Sequence, residues 1–411
     1  MTQARIRAIL AQTGRGRAMT RTIILLFDGT ANTVRANRSN ILRLYGCLEK
    51  SDRQLVWYSP GVGTFGGEDT LFHYRQRLRE GLDRATGWGL DRNVKDAYRF
   101  LVAHYDNGKR GGRRVQPRDR VIMFGFSRGA YTARVLAGFL NALGLMAPRH
   151  LNLLDQAYRA YKGVAERPGA KGDWKEMNLW YRVLRPDFVP VAALGLFDTV
   201  SSVFEWGQSG PRFRAHASTS VNPSVAAIRH AIALDERRAL YQPLLWPGGQ
   251  SYFGNRFERG RATPQDLREM WFAGVHSDVG GGYPETRAGL GKVALDWMIR
   301  ETEALGVQYR QTTINRLVLG RQGDGPSLRY VAPDPMARAQ ESLNLGWLLT
   351  GMIPRRVPHG MRTSNIGGLY LPLWRRRFVP DEALVHESVA VRQATPALAS
   401  PNLPRVPHYA T

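Results

Sequence analysis

A serine flanked by glycines is the most informative of the residues in this chain that could do chemistry. Residues 125–129 read Gly-Phe-Ser-Arg-Gly, between an apolar run at 121–124 and a helix-forming stretch at 130–137. A strand, a tight turn and a helix in this order hold the serine in a crowded backbone conformation, which requires glycine neighbours. The N–H groups that begin the helix point to where a tetrahedral oxyanion would form. The pattern predicts that Ser127 is a nucleophile.

A serine hydroxyl needs a base to take its proton, and histidine suits neutral pH. The histidine in turn needs a carboxylate that fixes its tautomer and stabilises the imidazolium. Predicted strands end at residues 28–30, at Ser127, at Asp198 and at His276, and strand ends are where parallel sheets place their ligands. Ser127, Asp198 and His276 also follow the chain order of the α/β-hydrolases. We therefore expect these three residues to form a catalytic triad.

Other interpretations exist for each member of this set. Ser127 could be an ordinary turn serine, and Asp198 could cap the backbone segment that follows it. The alternative acids are Asp278, two residues after His276, and Asp235. His276 is one of nine histidines, but it alone stands between a predicted strand end and a run of three glycines.

A second oxyanion donor is expected from the turn after the first predicted strand. Asp28, Gly29 and Thr30 form this turn, and the N–H of Gly29 or Thr30 would act beside that of Arg128. An Asx-turn built on Asp28 is the structural alternative, and the two roles are compatible. Gly61 and Gly63 resemble part of a phosphate loop, but they lack its Lys-Ser/Thr and are interpreted as a structural turn.

No cofactor or metal is predicted. The chain has a single cysteine, Cys47, and no histidine pair with metal-ligand spacing. An acid-only cation site built from Asp28, Asp198 or Asp278 is the alternative that remains.

Composition and charge narrow the classes of partner. The chain has 411 residues, is 43% hydrophobic, and carries a net charge of +24. Such a charge favours anionic membrane surfaces or nucleic acid, and the absence of a nucleic-acid-binding signature makes nucleic acid the weaker expectation. The first 21 residues contain five arginines and no acids, without a signal-peptide core, and Met19 is an alternative start to Met1. These features predict a cytoplasmic protein as synthesised, without a membrane-spanning helix.

The hydrophobic pattern alternates apolar strands with helices, which is typical of a doubly wound, mostly parallel α/β sheet. Strands are predicted at 22–27, 54–58, 121–124, 189–197 and 270–275, and helices at 40–49, 91–105, 130–145, 223–240 and 290–305. The predicted organisation is a basic extension at 1–20, a catalytic domain at 21–320 and an irregular C-terminal region at 321–411 that packs on it. Residues 149–187 are expected to form a helical insertion or lid.

Several spaced motifs resemble one known family. They are Phe-Asp-Gly-Thr at 27–30, Tyr-Ser-Pro-Gly-Val-Gly-Thr at 58–64, Gly-Phe-Ser-Arg-Gly-Ala at 125–130, Phe-Asp-Thr-Val at 197–200, Ala-Leu-Asp-Glu-Arg-Arg at 233–238 and the glycine-rich segment 271–283. Together they are similar to the α/β-hydrolase domain of the type VI secretion phospholipase effectors. The resemblance runs from about Arg21 to Pro404.

The resemblance implies an α/β-hydrolase fold and a serine esterase or phospholipase with its triad at Ser127, Asp198 and His276. A phospholipid or another lipid ester is the expected substrate, and residues 149–187 and 345–353 are expected to border an acyl-binding entrance. Packing of 345–353 onto the sheet is the alternative for the second segment. Export by a type VI system is a further expectation. Two alternatives stay open: a soluble carboxylesterase or thioesterase without a lipid interface, and a non-catalytic interaction module that keeps the fold. The sequence does not predict an oligomeric state.

Overall fold

The computed structural model describes most of the chain. The described residues are 20–29, 38–61, 82–166, 173–200, 204–207, 210–213, 216–254, 262–321, 330–343, 347, 351–352, 355–356, 365 and 367–411. Thr30 and Gly63 lie outside them, as does the predicted N-terminal extension apart from Thr20.

Eight parallel strands form the central sheet of the described residues. They are β1 (Thr22–Phe27), β2 (Gln54–Ser59), β3 (Arg120–Phe126), β4 (Val191–Phe197), β5 (Val225–Ala233), β6 (Asp266–Phe272), β7 (Leu384–His386) and β8 (His408–Ala410). Their spatial order is β8-β7-β6-β5-β4-β3-β1-β2, and every neighbouring pair is parallel. The order reverses at β1, so that β2 and β3 flank it on opposite sides.

Helices cover both faces of this sheet. They are α1 (Asn40–Cys47), α2 (Leu82–His104), α3 (Arg128–Ala142), α4 (Leu154–Glu166), α5 (Asp173–Leu184), α6 (His276–Gly280), α7 (Gly289–Glu303), α8 (Gln311–Leu317) and α9 (Glu387–Gln393). Short antiparallel pairs of strands lie outside the sheet, at Lys109–Arg110 with Arg113–Arg114, Phe204–Gly207 with Gly210–Phe213, Ser251–Tyr252 with Thr263–Pro264, and Arg355–Arg356 with Leu369–Tyr370.

The apolar run of β1 shows why the sheet is covered on both sides. Ile23 and Leu25 pack with α2, α3 and α4, whereas Ile24 and Leu26 pack with α1, α7 and α8. Successive residues of a strand point to opposite faces, and helices cover both faces here. All four side chains are therefore fully buried. A strand buried on both faces needs a continuous apolar sequence. The predicted doubly wound α/β class is confirmed by this arrangement.

The helix predicted at 223–240 was wrong. Val225–Ala233 forms β5, which lies between β4 and β6 in the middle of the sheet. Its apolar residues fill both faces of the strand, and a short apolar run of that kind has no periodicity that separates a strand from a buried helix. The β-branched residues Val225, Ile228 and Ile232 suit the strand.

Helices occupy the segment predicted as a helical insertion or lid. A 3₁₀ turn spans Pro148–Leu153, and α4 and α5 follow it. Tyr158 and Tyr161 of α4 pack against Phe139 of α3, with ring centroids 5.3 Å from it in both cases. These helices therefore contribute to the core on one face of the sheet.

The C-terminal region, predicted as irregular, contributes two short strands to the sheet. β7 pairs with β6, β8 pairs with β7, and α9 begins directly after β7. Val385 and Val389 pack against Trp271 of β6 in a separate apolar cluster. Strands of three residues are too short to produce a periodic pattern, which is why the sequence did not indicate them. Among the helices of the described ranges, none has the length and apolar character that crossing a bilayer would demand.

Candidate active site

Four sequence-predicted site residues meet at one edge of the sheet. Asp28, Ser127 and Asp198 directly follow the last residues of β1, β3 and β4, and His276 begins α6 shortly after β6. The carboxyl ends of parallel strands share an edge, and a reversal of strand order opens a crevice there. The topology therefore brings these side chains together from distant parts of the chain.

The turn that carries Ser127 is sterically restricted. Ser127 has φ 58° and ψ −122°, a conformation that L-residues rarely adopt, and its N–H donates to the carbonyl of Phe197 at 3.0 Å. A Cβ on Gly129 would lie 2.2 Å from the carbonyl oxygen of Phe27, and one on Gly125 would lie 2.5 Å from the Cα of Ala130. Both positions therefore require glycine, as the turn pattern predicted.

A hydrogen-bonded chain joins Ser127, His276 and Asp198. The Ser127 Oγ lies 2.8 Å from Nε2 of His276, and Nδ1 of the same ring lies 2.5 Å from Oδ2 of Asp198. Burial lowers the pKa of His276, and the hydrogen bond and charge of Asp198 oppose that effect. A neutral imidazole that accepts from the serine hydroxyl and donates to the carboxylate can act as a general base.

Arg377, which the sequence reasoning missed, holds the far side of Asp198. Its Nη1 donates to Oδ1 at 2.5 Å and its Nη2 to Oδ2 at 2.9 Å, and both side chains are completely buried. The guanidinium also donates to the carbonyls of Ala233 and Tyr241, at 2.8 Å from Nη1 and 3.0 Å from Nε. The N–H of Ala233 gives Asp198 Oδ1 a further hydrogen bond at 2.9 Å.

This pairing sets the charge state of Asp198. Burial alone would raise the pKa of the carboxyl, but the charge of Arg377 and the hydrogen bond from His276 outweigh it and hold the pKa well below its usual range. Residues 375–377 form the longest basic run of the chain, and that was the only signal in the sequence. Nothing in such a run indicates which arginine is buried.

Aromatic rings surround the imidazole. Phe126 and Tyr241 lie with ring centroids 4.7 Å and 4.8 Å from that of His276. Trp347 stands edge-on to Tyr241 at 5.4 Å, and the guanidinium of Arg238 lies 3.6 Å from the centre of the Tyr241 ring. These groups exclude water from the imidazole and give the site an apolar wall.

Glu236 and Arg238 support the backbone of the histidine. Glu236 Oε2 accepts from the N–H of His276 at 3.2 Å and from Nη2 of Arg238 at 2.8 Å. Burial raises the pKa of Glu236, but Arg238 outweighs this and lowers it to about 2. Both residues belong to the Ala-Leu-Asp-Glu-Arg-Arg motif at 233–238, in which the sequence indicates no role for Glu236.

The two alternative acids, Asp278 and Asp235, form hydrogen bonds with groups other than His276. Asp278 Oδ2 accepts the N–H groups of Val275 and Gln340, each at 3.0 Å. Asp235 accepts from the N–H of Gly274 at 2.7 Å, from Arg376 at 2.8 Å and from Ser400 at 2.9 Å. The carboxylate that contacts the imidazole is that of Asp198.

The carboxylate of Asp28 organises the turn after β1. Oδ1 accepts the N–H of Gly29 at 2.6 Å, and Oδ2 accepts the hydroxyls of Ser39 at 2.6 Å and Tyr58 at 2.7 Å. The first of these bonds occupies the Gly29 N–H that was expected to hold an oxyanion, whereas the Asx-turn considered for Asp28 would need the N–H of Thr30. Thr30, the other expected donor, is outside the described residues, and Arg128 begins α3 next to Ser127.

Within the ranges that the structure describes, no group of three or more histidine, cysteine or acidic side chains is arranged to hold a metal ion. Asp28 and Asp198 bind protein donors at both carboxylate oxygens, and Asp278 lies in a separate hydrogen-bonding group. The acid-only cation site considered from the sequence does not form from these residues.

Known proteins resemble parts of this chain. The uncharacterized protein YEL023C of Saccharomyces cerevisiae is 32% identical over 235 residues, which cover 54% of this chain and 32% of that protein. An uncharacterized protein from Pseudomonas aeruginosa matches in structure at a TM-score of 0.37 and 20% identity, over 75% of this chain and 48% of that one. The Tle1 effector, solved bound to the VgrG spike of the type 6 secretion system, matches in structure at a TM-score of 0.33 and 20% identity. This match covers 67% of this chain and 53% of that one. The chain thus spans about a third of the curated relative and about half of each solved chain.

The sequence model of one family matches more than half of the chain. It is described as the T6SS phospholipase effector Tle1-like catalytic domain and matches residues 21–301. This range includes Ser127, Asp198 and His276, while Arg377 lies beyond it. The chain therefore belongs to the Tle1-like family of type VI secretion phospholipase effectors.

Proposed function

We propose that this protein is a serine hydrolase that cleaves carboxylic esters of lipids, with phospholipids as its main substrates. The hydrogen-bonded chain from Ser127 through His276 to Asp198 is the observation that carries the proposal. Membership of a phospholipase effector family supports lipid esters as the substrate class.

Acylation would use the pair of Ser127 and His276. Nε2 of His276 takes the proton of the Ser127 hydroxyl as Oγ forms a bond to the ester carbonyl carbon, and the C=O electron pair moves onto oxygen. When this intermediate collapses, the bond between the carbonyl carbon and the alcohol oxygen breaks, and the alkoxide takes the proton back from Nε2. The products are a free alcohol and an acyl group on Ser127.

Deacylation repeats these steps with water. Nε2 of His276 takes a proton from water as its oxygen attacks the acyl carbonyl, and the same proton then passes to Oγ of Ser127 as the acyl bond breaks. The carboxylic acid leaves and the enzyme returns to its starting state. Asp198 keeps the imidazole tautomer fixed and stabilises its charged form in both halves.

The oxyanion would be held at the start of α3. Arg128 follows Ser127 directly as the first residue of this helix, and N–H groups at a helix N-terminus suit a developing negative charge. The second donor is assigned to Gly29 or Thr30. Because the Gly29 N–H donates to Asp28, this turn must rearrange when the substrate binds if Gly29 is that donor.

Arg377 acts here as a positioning residue. Its two hydrogen bonds fix the plane of the Asp198 carboxylate, and the carboxylate orients the imidazole. The guanidinium also lowers the energetic cost of a charged Asp198 in a fully buried position.

The lipid chain is proposed to enter beside the aromatic wall of the site. Trp347, from the segment 345–353 that was expected to border an acyl entrance, packs on Tyr241, which in turn packs on His276. An indole at that position would contact the acyl chain of a bound ester. We also propose peripheral contact with anionic membranes and export by a type VI system, in keeping with the net charge of +24 and the family.

Labelling with a fluorophosphonate tests the catalytic part of the proposal. The wild-type protein should form a covalent adduct on Ser127, since the probe reacts with a serine that an adjacent base activates. Ser127→Ala should remove the label while circular dichroism shows a folded chain. A folded wild-type protein that forms no adduct at Ser127 would contradict covalent catalysis and leave a non-catalytic module.

Substrate class requires a second comparison, between phospholipid vesicles and a short-chain nitrophenyl ester. We expect Ser127-dependent turnover of both, with the vesicles preferred. Turnover of the soluble ester alone would instead identify a carboxylesterase or thioesterase without a lipid interface.

A further inference from the structure

An arginine-lined cleft of about 610 Å³ lies next to the loop that carries His276. Val275, the residue before the histidine, forms part of its wall, and so does Asp235, which binds the N–H of Gly274 in the same loop. The remaining wall comes from the turn before α7, the segment 338–341 and the C-terminal region. The lining contains five arginines and two acidic residues: Arg237, Arg287, Arg338, Arg376 and Arg392, and Asp235 and Glu341.

The two carboxylates of the lining form ion pairs with only two of the five arginines. Arg376 lies 2.8 Å from Asp235, whose oxygens are also bonded to Ser400 and Gly274. Arg237 lies 3.9 Å from Glu341, at a distance and exposure where an ion pair contributes little. The cleft therefore keeps an excess of positive charge.

No carboxylate in the described part of the chain lies within ion-pair distance of the other three arginines. Arg287 donates to the side-chain carbonyl of Gln340 at 3.4 Å, and both Arg287 and Arg338 are exposed to solvent. Two neighbouring guanidiniums without a counter-charge can close on an anion with little rearrangement.

Arg392 gives a second indication that the cleft receives an anion. Only 2% of this residue is exposed, its Nη1 donates to the carbonyls of Pro335 at 2.5 Å and Ala337 at 2.7 Å, and its buried Nε has no partner among the described residues. Burial lowers the pKa of Arg392 and outweighs three carboxylate charges that raise it, those of Asp235, Asp278 and Asp334. This cation is therefore only partly compensated. An anion held in the cleft would compensate this charge.

We propose that this cleft binds the phosphate of an anionic phospholipid head group in the membrane that contains the substrate. A guanidinium presents paired N–H donors that match two phosphate oxygens, so several arginines around one concave space favour phosphate. A head group held there would place the loop of His276 at the lipid surface. This inference depends on the proposed function for its choice of a lipid phosphate over a soluble one.

The test measures vesicle binding by the full chain with Ser127→Ala, so that no lipid is consumed. Sedimentation with phosphatidylcholine vesicles that contain phosphatidylglycerol should bring down this protein, and pure phosphatidylcholine vesicles should bring down much less. Adding Arg287→Gln and Arg338→Gln should weaken binding about 30-fold, because each arginine near an anionic surface contributes about 1 kcal/mol. Both side chains are exposed, so the variant should keep its melting temperature.

The matched control replaces two exposed arginines that belong neither to the cleft lining nor to residues 149–187 and 345–353, Arg53→Gln directly before β2 and Arg316→Gln in α8. This control lowers the net charge equally and should bind nearly as well as the parent. Equal losses in both variants would overturn the proposal in favour of diffuse attraction. Inhibition by soluble glycerol phosphate at low concentration would overturn the lipid source and identify a soluble phosphate ligand. Because binding is measured without catalysis, absence of esterase activity in the wild type would contradict the proposed function alone.

Discussion

Two buried carboxylates near His276 differ in almost every respect other than burial. Asp198, 78 residues from the histidine along the chain, lies between its imidazole and the guanidinium of Arg377. Asp278, only two residues away, receives two backbone N–H bonds on one oxygen, and its Oδ1 has no partner among the described residues. The pKa of Asp198 lies well below the usual range, whereas burial raises that of Asp278 to about 6.

The difference shows that proximity along the chain is a poor guide to which carboxylate contacts the imidazole. Asp278 is the third residue of α6 and reaches back to the N–H of Val275, which places it as a cap at the helix N-terminus. Residues two apart on a helix do not face each other, so Asp278 turns away from the ring of His276. Asp198 reaches that ring because β4 ends beside β3 and β5 at the sheet edge.

The largest expected effect separates the two carboxylates directly. Asp198→Asn should lower kcat by about 10⁴-fold, since an amide cannot hold the imidazole in the correct tautomer or stabilise its charged form. Asp278→Asn is the matched control and should change kcat by less than about tenfold. Ester hydrolysis by the purified variants measures both, and the reverse order would assign the acid to Asp278.

A smaller effect should follow from removing the guanidinium that pairs directly with Asp198. Arg377→Met leaves the charge of Asp198 uncompensated beside the imidazole, which favours the protonated ring and raises the pKa of His276. The acidic limb of kcat/KM against pH should therefore move upward by about one pH unit, with a lower plateau. A purely structural role would lower activity without moving this limb.

The same substitution removes one partner of a buried ion pair, which can cost about 3–5 kcal/mol of stability. Arg377→Lys keeps the positive charge and is the conservative comparison. It should restore the position of the acidic limb towards that of the wild type, even if the loss of the two-pronged contact lowers the plateau. A limb that stays shifted with lysine would mean that charge is not the cause.

The smallest effect concerns the stability contribution of Asp278. Its pKa rises from an ordinary value of 3.8 to about 6 on folding, so the folded state binds the proton more tightly than the unfolded state. The stabilising contribution is complete below pH 4 and is lost as the pH rises through 6. Between pH 4 and pH 7.5, the free energy of unfolding of Asp278→Asn should therefore rise by about 2 kcal/mol relative to that of the wild type.

Denaturant unfolding of both proteins at the two pH values measures this difference. The asparagine side chain can still accept the N–H groups of Val275 and Gln340 through its carbonyl oxygen, so the cap itself is kept. An identical pH dependence in wild type and variant would contradict the raised pKa of Asp278.

The sequence indicated those parts of the molecule whose signal is local. The apolar runs of β1, β3 and β4 are continuous because both faces of the sheet are covered, and the glycines around Ser127 are required by the turn itself. Positions directly after strand ends then pointed to Ser127 and Asp198, which the sheet order brings to one edge.

Features that depend on tertiary contacts were not visible in the sequence. The pattern of β5 predicted a helix because a short apolar segment fits either structure, and its place between two strands decides the outcome. Arg377 is one of many arginines in an arginine-rich chain, and only folding reveals that it is the one paired with Asp198. The bond between Asp28 and the N–H of Gly29 is likewise a matter of side-chain geometry.

The position of Arg377 has a consequence for synthesis of the protein. The ribosome makes Ser127, Asp198 and His276 first and adds Arg377 roughly 100 residues after the histidine. If the nascent chain folded when only Ser127, Asp198 and His276 had left the ribosome, it would have to bury Asp198 without its cation, which is costly. The order of translation thus delays the pairing of Asp198 with its counter-charge until the segment that carries Arg377 has left the ribosome.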